Sequence, residues 1–175
     1  MNDVNRIMVV DDEPAIRLFL SDELTLAGYQ VSTAASGEEA LARLQTSSVD
    51  LVLLDLMMGG MNGLSVIEAL EKEPNCPVVI VLTAHASMDS AINVLRHGGH
   101  DYLIKPCHTE ELLASVKKGL EKRRETLEQQ KMIQLIEQTA RQLRGEQSPT
   151  ADTPPFRQRY LEGRGLMLDN EQEIV

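Results

Sequence analysis

The feature that most constrains the fold is a rhythm. Strand-length apolar runs occur at residues 7–10, around Val31, and at 51–54, 78–82 and 102–104. Each is followed by a segment with helical spacing. Three of the runs are continuous rather than alternating, which suits strands buried on both faces of a parallel sheet. The intervening segments carry helix punctuation. Pro14 suits a first helical turn, with Ile16, Leu20, Leu24 and Ala27 following on one face and Gly28 closing the helix. Ser36 can cap a second helix that turns Ala40, Leu41 and Leu44 inward. A third follows Gly63 with Leu64, Ile67 and Leu70 inward, and must stop near Pro74. A fourth spans about 87–96, with Met88, Ala91, Ile92 and Leu95 expected inward and Gly98-Gly99 closing it. Thr109, with Glu110 and Glu111 in the first turn, starts a fifth.

Five βα units in about 120 residues predict an α/β domain, a doubly wound five-stranded parallel sheet with helices on both faces. The chain's 175 residues leave room for this domain and a tail. Aromatic residues are only 3% and Trp is absent, so the core must be aliphatic. The net charge of −10 argues against an average surface that grips nucleic acid. Most of the acidity lies before residue 120. Cys76 and Cys107 are too few for a disulfide framework and lack metal-type spacing, as in a reduced cytosolic protein. No signal peptide precedes Asp11, and no run approaches a membrane span. These features predict a cytoplasmic protein without membrane contact.

In such sheets chemistry sits beyond the C-terminal strand ends. The first run ends in Asp11-Asp12-Glu13, the third in Asp55, the fourth in Thr83-Ala84 and the fifth in Lys105-Pro106. Three carboxylates, a hydroxyl and an ammonium should therefore converge on one edge. Crowded carboxylates repel, and a hard cation such as Mg²⁺ resolves the conflict through oxygen ligands. No GxxxxGK[ST] or GxGxxG motif supplies a nucleotide cradle. The pattern suggests a small anion and nucleophilic attack by a carboxylate, giving an aspartyl phosphate. The metal and Lys105 would stabilise the transferring phosphoryl charge.

The stretches VVDDEP (9–14), LVLLDLMM (51–58), MNG (61–63), VLTAHAS (81–87) and GHDYLIKP (99–106) resemble, in order and spacing, the receiver domain of two-component response regulators. The resemblance covers about residues 5–122 and implies a flavodoxin-like receiver fold. It implies Asp55 as phospho-acceptor, Asp12 as direct metal ligand, Asp11 as its acidic partner, and the Met57 backbone carbonyl as the third protein oxygen on Mg²⁺. Lys105 would pair with the acyl phosphate. Thr83, helped by the Ala84 N–H, would bond a phosphoryl oxygen and act as the switch hydroxyl. Tyr102 would be the switch aromatic, a core tyrosine on an edge strand being the plainer alternative. The Lys105-Pro106 bond is cis in the family. Asp50 and Asp101 read as turn or cap residues, and Glu13 as a solvated first-turn acid.

Two departures stand out. The family often has Pro where this chain has Gly59, and Gly59-Gly60 loosens that loop. Met57 and His85 flank the approach of hydrolytic water, and apolar Met57 cannot orient it. A long-lived phosphoryl group follows. His85 could serve as a weak base, although a solvated loop histidine is the plainer reading.

The expected organisation is a receiver at 1–122, a helical extension at 123–145, a flexible linker at 146–160, and the start of a truncated effector domain at 161–175. Leu113, Val116, Leu120 and Leu127 form one stripe, and Met132, Ile136, Thr139 or Ala140, and Leu143 a second, out of phase. A dimerising or folded-back helix fits this better than a long coiled coil. Lys122-Arg123-Arg124 reads as solvated surface. The last residues faintly resemble the first strands of a winged-helix effector, and 83–106 is also similar to receivers that control AAA+ ATPases. The implied function is a phosphorylation switch, charged by a sensor histidine kinase and read through the fourth-helix to fifth-helix face. Homodimerisation on activation is expected, with transcriptional output and DNA contact only through an effector. It is not an enzyme beyond its own phosphorylation and dephosphorylation. The alternatives are a stand-alone receiver acting through protein contact and an Mg²⁺-dependent aspartyl-phosphate phosphatase. The latter usually has a second aspartate two residues after the nucleophile, where Met57 stands.

Overall fold

The structure is a computed structural model and describes residues 4–73, 75–84 and 87–144. The chain divides into two compact units, Met1–Gln130 and Lys131–Val175. The first holds five strands and the helices between them: β1 (Arg6–Val10), α1 (Pro14–Leu26), β2 (Gln30–Ala34), α2 (Gly37–Leu44), β3 (Leu51–Leu54), α3 (Gly63–Glu71), β4 (Val78–Thr83), α4 (Met88–Arg96), β5 (Asp101–Ile104) and the start of α5 (Thr109–Leu143). All strand pairs are parallel, in the order β2-β1-β3-β4-β5. Strand order reverses between β1 and β3, which opens a crevice at their C-terminal ends.

The period of two along each strand sorts the core onto two faces. Met8, Val10, Val52, Leu54, Val79 and Val81 meet Ala40, Val66, Ile67, Leu70 and Val94 of α2, α3 and α4. Ile7, Val9, Leu51, Leu53, Ile80, Leu82 and Leu103 meet Leu20 and Leu24 of α1 and Leu112, Val116 and Leu120 of α5. Each such side chain contributes about 1.5–3 kcal/mol when fully buried. The doubly wound sheet predicted from the run pattern is the observed one.

Helix ends follow local chemistry. Pro14 stands in the first turn of α1, and Gly28 follows its C-cap with φ +91°. Ser36 caps α2 by accepting the Glu39 N–H, and Asn62 caps α3 by accepting the Leu64 N–H. Asp50 accepts the Arg6 N–H, and Asp101 accepts its neighbour's N–H and the Ser115 hydroxyl, so both are structural.

Helix α4 departs from expectation. Of its residues only Val94 is fully buried, while Met88, Leu95 and Ile92 are 79%, 59% and 39% exposed. The side of α4 that meets the fold is partly polar. Ser87 and Ser90 cap each other reciprocally, and the Ser90 hydroxyl lies 2.9 Å from the Tyr102 hydroxyl. Ser90, Ala91 and Val94 face inward to different degrees, while Met88, Ile92 and Leu95 of the predicted stripe face outward. Ala27 likewise falls beyond the end of α1 and is exposed.

Along α5 the first stripe packs as expected, with Val116 and Leu120 buried and Leu113 half-buried. Gly119 also has a packing role, since a Cβ there would lie 3.0 Å from Leu51 and 3.1 Å from Val78. Arg123 donates to the carbonyls of Asn75 and Cys76 ahead of β4, so it is not mere solvated surface. In the second unit residues 131–143 are helical, and Met132, Ile133, Leu135, Ile136 and Leu143 are each more than half exposed. The expected linker and effector start, 146–160 and 161–175, lie outside the described residues, as does His85.

Candidate functional site

Asp11 and Asp55 follow the last residues of β1 and β3, which pair as Val10 and Leu54. Their backbones continue the ladder for one step: the Asp11 N–H donates to Ala34 and the Asp55 N–H to Val10. The two carboxylates are thus carried on rigid strand ends and are 1% and 6% exposed. Asp12, at the start of the β1–α1 loop, is exposed. One carboxylate oxygen from each of Asp11, Asp12 and Asp55 lies within 4.8 Å of the others.

Lys105 follows β5 and reaches across to this cluster. Its Nζ lies 2.7 Å from Asp55 Oδ2 and also donates to Asp11 Oδ2. The β5 end is held in place because the Lys105 N–H donates to the Thr83 carbonyl at 2.9 Å. The Lys105-Pro106 bond is cis, as the resemblance implies. Burial alone would push the Lys105 ammonium down, but hydrogen bonds and charge from Asp11 and Asp55 outweigh it, so its pKa lies above that of ordinary lysine.

The remaining oxygens have distinct partners. Asp11 Oδ1 accepts the Glu13 N–H at 2.9 Å and Asp55 Oδ1 accepts the Met57 N–H at 3.0 Å. Asp12 Oδ2 accepts the Gly59 N–H at 3.1 Å. Among the described residues Asp12 Oδ1 accepts none. Three carboxylates against one ammonium leave formal negative charge uncompensated, and the all-oxygen donor set suits a hard divalent cation. The buried oxygens are already spoken for by Lys105 and backbone, so a cation's cheapest entry is at the exposed Asp12 side.

Thr83 is fully buried at the end of β4, and Ala84 is exposed directly after it. Tyr102 is half-buried against the α2–α3–α4 face of the core and meets Ser90. The side chain of Met57 is 60% exposed. All the residues singled out at strand ends lie on this one edge. Three contacts carried no sequence signal: Gly59 with Asp12, Ser90 with Tyr102, and Gly63 against the backbone of Asp55. The last is a close approach, since a Cβ on Gly63 would stand 2.5 Å from the Asp55 carbonyl oxygen. The MNG stretch marked the position but not its cause.

The comparisons with known proteins agree with this geometry. The chain is 43% identical over 112 residues to “Probable transcriptional regulator ycf27” of Cyanidium caldarium, covering 64% of this chain and 45% of that protein. It is 41% identical over 125 residues to the alginate biosynthesis transcriptional regulatory protein AlgB of Pseudomonas aeruginosa, covering 69% of this chain and 27% of that one. It spans less than half of these curated relatives. Among solved structures, a CheY-like receiver domain protein from Methanospirillum hungatei superposes with a TM-score of 0.67 at 30% identity, over 71% of this chain and 99% of that one. The response regulator TrrA of Thermotoga maritima, solved with Mg²⁺ and BeF, gives 0.62 at 39% identity, over 67% and 100%. No described helix is long and apolar enough to cross a membrane. Residues 7–117 match the response regulator receiver domain, and this chain belongs to that family.

Proposed function

We propose that this receiver is a phosphorylation switch in which Asp55 takes a phosphoryl group from a sensor histidine kinase with Mg²⁺ bound. The carrying observation is the Lys105 ammonium bridging Asp55 and Asp11, beside the exposed Asp12, on the edge of the sheet. Asp12, Asp55 and the Met57 carbonyl would hold the cation, with Asp11 as its acidic partner. Bound there, Mg²⁺ supplies charge that offsets the incoming phosphoryl group.

The protein's own groups do the rest. Asp55 Oδ attacks phosphorus, and the bond from phosphorus to the donor's histidine nitrogen breaks as the new O–P bond forms. Lys105 is then placed to exchange part of its contact with Asp55 for a phosphoryl oxygen. The Thr83 hydroxyl and the Ala84 N–H, one strand away, would take another. Tyr102 already touches α4 through Ser90, so a change at Thr83 can reach that helix. The face from α4 through β5 to α5 exposes Met88, Leu95 and Ile104 and is the surface whose partners would change. This is a shift of population between two packings.

Output as a transcription regulator, with DNA contact through an effector, fits the named relatives; homodimerisation on activation is part of the same proposal. Acetyl phosphate with Mg²⁺, followed by intact mass, tests the proposal. A single stable adduct that Asp55→Asn abolishes is expected. Continuous phosphate release would instead indicate a phosphatase, and the absence of any adduct would overturn the switch.

A further inference from the structure

The β3–α3 loop is strung across three carboxylates, its own Asp55 and two from other places in the fold. The Met57 N–H donates to Asp55, the Gly59 N–H to Asp12, and the Met61 N–H to Glu38 of α2. Gly60 between the last two has φ +102°, a conformation that suits glycine. Gly59 stands where the family often has proline. Proline has no N–H to donate, so the bond from residue 59 to Asp12 Oδ2, 3.1 Å long, exists here because of that replacement.

Asp12 is the exposed member of the carboxylate cluster. Without a partner, an exposed aspartate samples several rotamers and must be ordered when a cation arrives, which costs affinity. Mg²⁺ tolerates little deviation from octahedral geometry, so the cost matters. Hydrogen-bond partners of ligating carboxylates are generally worth about 10–100-fold in metal affinity.

We propose that the Gly59 N–H is a positioning group for the divalent-cation site. It holds Asp12 by Oδ2, leaves Oδ1 for the cation, and ties to that same carboxylate the loop that carries the Met57 carbonyl. The inference rests on the metal reading given above.

The test is calorimetric titration of Mg²⁺ into the full chain and two variants. Gly59→Ala keeps the N–H, and its Cβ would meet nothing within 4 Å. Gly59→Pro removes the N–H. The expected result is an alanine variant close to wild type and a proline variant weaker by about 10-fold. The urea midpoint measured without Mg²⁺ checks that both variants fold. The Gly59 amide gives a second readout that does not depend on the proline variant: its NMR resonance must move during the Mg²⁺ titration with the same midpoint as the heat. Equal affinity in the proline variant, equal loss in both variants, or an unmoved amide overturns the inference while leaving the metal reading intact. No uptake of Mg²⁺ by the wild type overturns the metal reading and this inference with it.

Discussion

Gly63→Ala should damage fold and site together. Gly63 is the first residue of α3 and packs on the end of β3. A Cβ there would stand 2.5 Å from the Asp55 carbonyl oxygen, 2.8 Å from Leu56 Cα and 3.1 Å from Leu56 Cδ2. The first two are backbone atoms and cannot rotate away, so α3 must retreat or β3 must bend. Such overpacking costs about 1–3 kcal/mol. Alanine recovers part of that through its helix propensity, at most about 1 kcal/mol and less in a first turn. The net loss is then about 1–2 kcal/mol. With a urea slope of about 2 kcal/mol per molar, the midpoint should fall by roughly 0.5–1 M. The clash is with the residue that carries the proposed phospho-acceptor, so Mg²⁺ affinity should fall as well. Gly59→Ala is the control, because its Cβ meets nothing within 4 Å and Gly59 is not among the glycines with positive φ. A Gly63→Ala protein with an unchanged midpoint would refute the close-packing argument.

Lys105→Met should cost on the order of 3 kcal/mol, because it leaves Asp11 and Asp55 facing each other without their shared ammonium. The folded-state pKa of Lys105 is raised, so its contribution is complete below the ordinary lysine value of 10.5 and is lost as pH rises through the folded value; the gap in urea midpoint between wild type and variant should therefore shrink only above about pH 10.5. Mg²⁺ at ten times its dissociation constant should stabilise the wild type by about 1.4 kcal/mol, and Asp12→Asn should lose most of that shift in a thermal melt. Met57→Asn should speed dephosphorylation of the Asp55 adduct, since an amide can orient water where the exposed thioether cannot; an unchanged decay rate would sink the idea of a long-lived phosphoryl group. Burial raises the pKa of both Cys76 and Cys107, so maleimide or disulfide reagents near pH 8 should label the native chain far more slowly than the urea-unfolded chain.

What the sequence determined by itself was whatever depends on local order. Apolar runs and caps are read over a few residues, so the five strands, the Ser36 cap and the Gly28 terminus were legible. The convergence of Asp11, Asp12, Asp55, Thr83 and Lys105 on one edge also followed, because parallel βα units put every strand's C-terminal end on the same side. Tertiary structure decided what depends on neighbours far along the chain. The orientation of α4, with Val94 and the Ser90–Tyr102 contact inward and Met88, Ile92 and Leu95 outward, depended on which face the rest of the fold covers. The need for glycine at 63 came from Asp55 and Leu56, just beyond β3, and at 119 from side chains of β3 and β4 lying against α5. The partners of each carboxylate oxygen, including the Gly59 N–H forty-seven residues from Asp12, were set by how the loops meet. Periodicity in one segment carries no information about such contacts, because the free energy that decides them belongs to pairs of segments.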